Sequence, residues 1–278
     1  MAHDDNPFAP SAAEAAADNP DRVDALEPVP MDVGEILSRC WFVFTNNLGV
    51  VIAAVAALIA PAFVFGASGA VIDLVTETMD GDAALAMAFV SLGNTILQQL
   101  VTLFLTLGAV RIFIHVTRGQ EANASMVVGE GRSFLPALGA QLLIVLAAVV
   151  SMLPGLMALL GVPAGLMGLE TAMLMLMGNL FIIVIPWIIL GLGLQFVQYV
   201  IVDRGVGPIE AIRESWRLTD GYKMTIFGIN LLAGILGLLI TCLTLGLGYL
   251  VILPVFVLMQ GVMYHSLTHY QGLVDDPW

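Results

Sequence analysis

This sequence is poor in charged side chains. Asp, Glu, Lys and Arg make up 11% of its 278 residues, against about 25% in a soluble domain. With 59% hydrophobic residues and a mean hydropathy of +0.95, that deficit excludes a water-soluble core and points to a polytopic membrane protein. Cysteine is nearly absent as well. Cys40 falls in an amphipathic stretch and Cys242 in an apolar run, so a disulfide between them is not expected, and no zinc-ligand spacing exists. Catalytic fingerprints are missing too: there is no G-x-S-x-G, no P-loop and no Rossmann glycine pattern. No histidine–carboxylate cluster suits metal-assisted hydrolysis. These absences predict a protein that is not an enzyme and needs no cofactor. Finally, no apolar run carries an ionisable Asp, Glu, Lys or Arg near its centre, whereas an ion-coupled transporter usually needs a charge there.

What the sequence does have is a series of long apolar runs. Six spans are expected at 48–71, 86–113, 134–158, 173–200, 224–245 and 248–268, since about 20 apolar residues cross the hydrocarbon core. Spans two and four are longer than required and should tilt or project from the bilayer. Pro61, Pro186 and Pro254 lie inside spans and should kink them. In span one, Gly49, Ala53 and Ala57, and Ala56 with Ala60, recur at i,i+4 and predict close helix contact. Pro154, Gly155, Gly161, Pro163 and Gly165 either end span three or form a re-entrant turn.

Six spans separate the charges. All nine basic residues fall on the side shared by the N-terminus, the 2–3 loop and the 4–5 loop, while the opposite loops carry Asp73, Glu77, Asp80, Asp82 and Glu170. The positive-inside rule then places both termini in the cytoplasm. Residues 1–30 hold seven acidic residues against Arg22 alone and read as a disordered, acidic cytoplasmic tail. The expected organisation is that tail, a six-helix transmembrane domain over 31–271, and a short cytoplasmic tail over 272–278. The fold class is all-α, with short amphipathic interfacial helices and an internal repeat.

The repeat is carried by those amphipathic stretches. Asp32 and Glu35 have capping-box-like spacing, and Val33, Ile36, Leu37, Cys40 and Phe44 follow on one helical face. In Pro208 to Leu218, Ile209, Ile212 and Trp216 share one face and Glu210, Arg213, Glu214 and Arg217 the other. Gly34 to Trp41 aligns with Ile209 to Trp216, Glu preceding Trp by six residues in each. Ser125 to Leu143 offers a weaker third copy. Such helices should lie flat at the membrane surface, with Trp41 and Trp216 at headgroup depth and Arg39, Arg213, Arg217 and Lys223 towards lipid.

The stretch R-E-S-W-R-L-T-D-G-Y-K-M-T-I-F-G resembles an A-x-x-x-S-W-x-L-x-x-G signature of a bacterial membrane-domain family, with Ala211, Ser215, Trp216, Leu218 and Gly221 carrying the match. That family includes the membrane domain preceding the catalytic barrel of some glycerophosphodiester phosphodiesterases and many stand-alone membrane proteins of unknown role. The resemblance covers about Asp32 to Gln271 and implies a six-helix domain of the bacterial cytoplasmic (inner) membrane. It implies no phosphodiesterase activity here, because the sequence ends at Trp278, just after the last span.

Polar residues inside the spans are Gln98, Gln99, Gln141, Gln195, Gln198, Asn230 and Gln260. They read as interhelical glue, or as a neutral polar path for a lipid headgroup or small solute. His265 and His269 stand i,i+4 at the end of span six, with His115 at the same end of span two. They are candidate metal ligands only if further ligands join them; otherwise they are interfacial, beside snorkelling Arg111, Tyr264 and Tyr270. The function expected is non-catalytic: organising membrane lipids, or a partner membrane protein, at the cytoplasmic face, with no nucleic-acid partner. The alternative is a carrier or flippase-like protein for a lipid or small neutral solute. A hydrated cavity lined by Gln98, Gln198 or Gln260 would favour the carrier, and a dry bundle the first reading.

Overall fold

A computed structural model describes residues 29–160, 178 and 184–270. The acidic tail, Glu170, the start of the expected fourth span, and the C-terminal tail lie outside the described residues. Among the described residues the fold is helical, with no strand. In order, α1 is Val33–Asn46, α2 Leu48–Thr76 and α3 Asp82–Thr117; a 3-10 turn follows at Ala124–Val128, and α4 is Gly131–Leu160. Next come α5 at 184–194, α6 at Val197–Arg204, α7 at Pro208–Thr219, α8 at Lys223–Leu243 and α9 at Tyr249–Tyr270. Six helices are long and apolar enough to cross a membrane: α2, α3, α4, α5 with α6, α8 and α9. α1 and α7 are the two short amphipathic helices.

The spans are not equivalent. In its most apolar window α3 is 56% buried and α9 50%, whereas α8 is only 17% buried. α3 and α9 form the centre, and the other helices pack around them. With 36 residues, α3 is about 54 Å long, far more than the roughly 30 Å of hydrocarbon. Its C-terminal end is the most heavily packed part, with Leu107 to Thr117 buried on nearly all sides. The following loop returns against it so closely that a Cβ on Gly108 would lie 1.9 Å from the Val127 carbonyl oxygen.

The core therefore sits at one end of the molecule. One cluster joins Ile36 and Cys40 of α1 with Leu107, Val110, Phe196, Ile201, Ala211, Leu218, Ile226, Met263 and Tyr264. A second joins Val43 and Phe44 with Val51, Val55, Ile112, Phe113, Val127 and Leu258. Towards the other end, Phe63, Leu74, Leu85, Phe89, Leu243 and Leu250 stay exposed, a surface suited to hydrocarbon rather than water. There the α2–α3 hairpin is tied by Asn94, whose Oδ1 accepts from Ser68 Oγ at 2.8 Å and whose Nδ2 donates to the Phe65 carbonyl at 3.2 Å.

Some details differ from the sequence expectation. The buried residues of α2 include Val51, Ala54 and Val55; of the small residues expected to make close contact, Ala53 is half-buried and Ala57 packs against the core, while Gly49, Ala56 and Ala60 are exposed. Pro61 and Pro254 lie inside α2 and α9, as expected, and neither ends its helix. α4 runs past Pro154 and Gly155 to Leu160, so neither residue ends span three.

Candidate functional site: the basic end of the bundle

Antiparallel spans bring Arg39, Arg111, Arg118, Arg132, Arg204, Arg213, Arg217 and Lys223 to the same end as the core, while Asp73, Glu77, Asp80 and Asp82 lie at the other. Most of these cations are engaged within the protein. Arg118, just after α3, makes a two-pronged pair with Asp203 of α6, at 2.6 and 2.7 Å, and Tyr264 of α9 donates to the same carboxylate at 2.8 Å. Burial alone would lower the Arg118 pKa. The hydrogen bonds and charge of Asp203 outweigh it and hold the guanidinium above its ordinary value. Arg111 of α3 pairs with Glu130, which also accepts from Ser133 of α4 at 2.9 Å. Glu214 of α7 takes Arg204 at 2.6 Å and Arg217 at 2.9 Å. These clamps join α3 to α4, α6 and α9, and α6 to α7.

α7 is held from beneath. Its buried residues are Ala211, Ser215, Leu218 and Thr219. Ser215 Oγ donates to the Gly193 carbonyl at 2.8 Å, next to the break that separates α5 from α6. The Trp216 ring lies on the same glycine: a Cβ on Gly193 would come within 2.3 Å of it. Lys223 sits over that ring at 4.0 Å from the centroid and 3.8 Å from Asp220. Lys223, expected at the lipid surface, is thus folded back onto α7.

The inward face of α7 is not the apolar face that the sequence suggests. Of Ile209, Ile212 and Trp216, only Ile212 packs into the core; Ile209 is 65% exposed and Trp216 37%. Small residues at 211 and 215 let the helix approach closely, so the larger apolar residues stay outside. The outward stripe runs Trp216, Ile209, Arg213, Arg217 across the helix surface, with Arg213 and Arg217 exposed. α1 behaves alike. Asp32 caps it by accepting from the Gly34 N–H at 3.0 Å, Ile36, Cys40, Val43 and Phe44 face inward, and Trp41 is 56% exposed. Arg39 is half-buried.

The repeat shows in burial as well as in sequence. Ile36, Cys40, Val43 and Phe44 occupy the aligned positions of Ala211, Ser215, Leu218 and Thr219, and all eight are buried. The third copy keeps no such helix. Its lead-in is the 3-10 turn Ala124–Val128, with Val127 buried against α3.

Three of the seven intramembrane polar residues come together. Gln260 Nε2 of α9 donates to Asn230 Oδ1 of α8 at 2.9 Å, and Asn230 Nδ2 donates to Gln195 Oε1, at the α5–α6 break, at 3.3 Å. Gln141, Gln195 and Gln198 line a cavity of about 180 Å³ together with Ala137, Ala140, Ile144, Leu194 and Val197. Gln98 is half-buried and Gln99 exposed on α3, apart from that cavity. Tyr264 does not snorkel. It is 1% exposed, because its hydroxyl is needed at Asp203 inside the core. His115 closes α3, and His265 and His269 lie in the last turns of α9. Among the described residues no group of three or more His, Cys, Asp or Glu is placed to hold a metal ion.

Sequence reasoning missed Asp203, Glu130 and Asn94. Asp203 and Glu130 flank apolar runs and Asn94 lies inside one; none forms a catalytic or ligand motif, and only the partner across the bundle gives it meaning. The model of one protein family, described as a domain of unknown function (DUF7847), matches residues 31–270. No curated protein and no solved structure matches the chain.

Proposed function

The chain belongs to that family, and we propose that it is a non-catalytic membrane platform whose basic end gathers anionic lipid, or a partner membrane protein, around two surface helices. The observation that carries this reading is the outward stripe of α7. Trp216 and Ile209 form its apolar edge and Arg213 and Arg217 its basic edge, while the opposite face is locked into the core. A helix so placed can sink its apolar edge towards the acyl chains and present guanidinium groups to phosphates. α1 adds Trp41 on its own outward face. The one-sided distribution of Arg and Lys supports a cytoplasmic position for this end, in a bacterial inner membrane with both termini inside.

The test is lipid enrichment around the protein in nanodiscs of mixed phosphatidylglycerol and phosphatidylcholine. R213E with R217E should cut enrichment of the anionic lipid several-fold while leaving folding intact. Unchanged enrichment would remove the lipid half of the proposal. A second reading, a carrier, is favoured by one observation: the cavity bordered by Gln198. It calls for the polar residues of the spans to form a path rather than a set of interhelical ties.

A further inference from the structure

We infer that the cavity at the α5–α6 break is a binding site for the polar group of an uncharged lipid, of the diacylglycerol or monoacylglycerol class. Four observations converge on it. First, three amides, Gln141, Gln195 and Gln198, border one space of about 180 Å³. That is below the roughly 300–1,000 Å³ of a drug-sized pocket and near the volume of about six waters, so it fits a glycerol-sized group and not a whole lipid. Second, the amide chain from Gln260 through Asn230 ends at Gln195 with its Oε1 occupied, and the buried Gln195 Nε2 has no hydrogen-bond partner. Rotation of the Gln195 amide towards the space it borders brings that donor to an accepting ligand oxygen and completes the chain.

Third, the lining contains no Asp, Glu, Lys or Arg. A charged headgroup would be desolvated there with nothing to pair it, so the ligand is neutral. Fourth, the space meets the bilayer side of α4. Gln141 is exposed, and its neighbours Leu142, Val145 and Leu146 are exposed apolar residues. An occupant can therefore leave its acyl chains along α4 while its glycerol hydroxyl and ester oxygens meet the glutamines. Depth agrees with this. Gln141 follows Arg132, and Gln195 precedes Arg204, by about 13 Å of helix, which is inside the phosphate plane and within reach of a neutral lipid that carries no phosphate.

The proposal shares lipid as its ligand with the surface-helix reading but uses different residues, so the two can fail separately. The experiment is photo-crosslinking in nanodiscs with a diacylglycerol carrying a diazirine next to its glycerol backbone, mapped by mass spectrometry. Wild type should label on α4 and around 194–198, and unlabelled diacylglycerol should compete. Q195L should reduce labelling at these positions at least five-fold. Q198L, which breaks no hydrogen bond of the amide chain, should also reduce it and guards against a Q195L protein that fails to fold. Q99L, on α3 outside the cavity, and R213E with R217E should label as wild type does. Labelling that ignores Q195L and Q198L would overturn the site. Competition by phosphatidylglycerol equal to that by diacylglycerol would overturn the neutral class, and competition by free glycerol alone would replace lipid with a small solute.

Discussion

Gly193 shows how much one residue can decide. It accepts the Ser215 hydroxyl on its carbonyl and the Trp216 ring on its open side, so a single position without a side chain docks α7 onto span four. G193A should push the indole off and destabilise the fold by about 1–3 kcal/mol, as overpacking does; thermal unfolding in detergent would measure it. S215A should cost about 1 kcal/mol by leaving the carbonyl without that donor. D203N removes the charge that meets Arg118 across 2.6 Å. With both side chains partly exposed, its cost should be about 2–3 kcal/mol, below that of a fully buried pair. Burial pushes the Cys40 thiol up to about 12, so at pH 8 it stays protonated. Maleimide should leave it unmodified in the folded protein and modify it once the protein is denatured. The S-W pair was legible in the sequence as a motif. Its purpose was not, because the glycine it needs lies 22 residues earlier in the chain and no periodicity links the two.

Among the elements, the interfacial helices were easiest to read and easiest to orient wrongly. The buried stripe of α1 was largely legible: of the expected face, Ile36, Cys40 and Phe44 are buried and Val33 and Leu37 pack against the core, while Val43 joins the buried set. In α7 the apolar and the packed residues separate, since close packing selects Ala211 and Ser215 and leaves Ile209 outside. Hydrophobicity marks what avoids water, and at a membrane surface both faces of a helix can do that. The distinction can be measured. A211L should destabilise by about 1–3 kcal/mol through overpacking, whereas I209A should change stability by less than about 0.5 kcal/mol. Equal effects would return Ile209 to the packed face. Depth-dependent quenching of Trp216 in a variant retaining only that tryptophan should place the ring at headgroup depth; quenching only from the bilayer centre would contradict the surface placement of α7.

For the whole molecule, the six long apolar helices were legible because length and hydropathy alone define them. Which of them are central was not. The three least apolar spans, α3, α9 and α5 with α6, are also the three most buried, so apolarity alone points to the wrong helices as the centre. Reporter fusions should read cytoplasmic at Glu121 and Gly207 and extracytoplasmic at Asp82 and Gly246, following the separation of Arg and Lys from the acidic loops; the same reading at Glu121 and Asp82 would break the six-span topology. The central place of α9 also has a consequence in time. It is the last of the six spans to be synthesised, yet it supplies Met259, Met263, Tyr264 and Leu267 to the core and the hydroxyl that Asp203 accepts. At roughly 5–20 residues per second, spans one to four wait several seconds in the bilayer for the helix they will pack around. During that interval the α2–α3 hairpin and the Arg118–Asp203 pair can already form, but the core stays open along the side that α9 will cover.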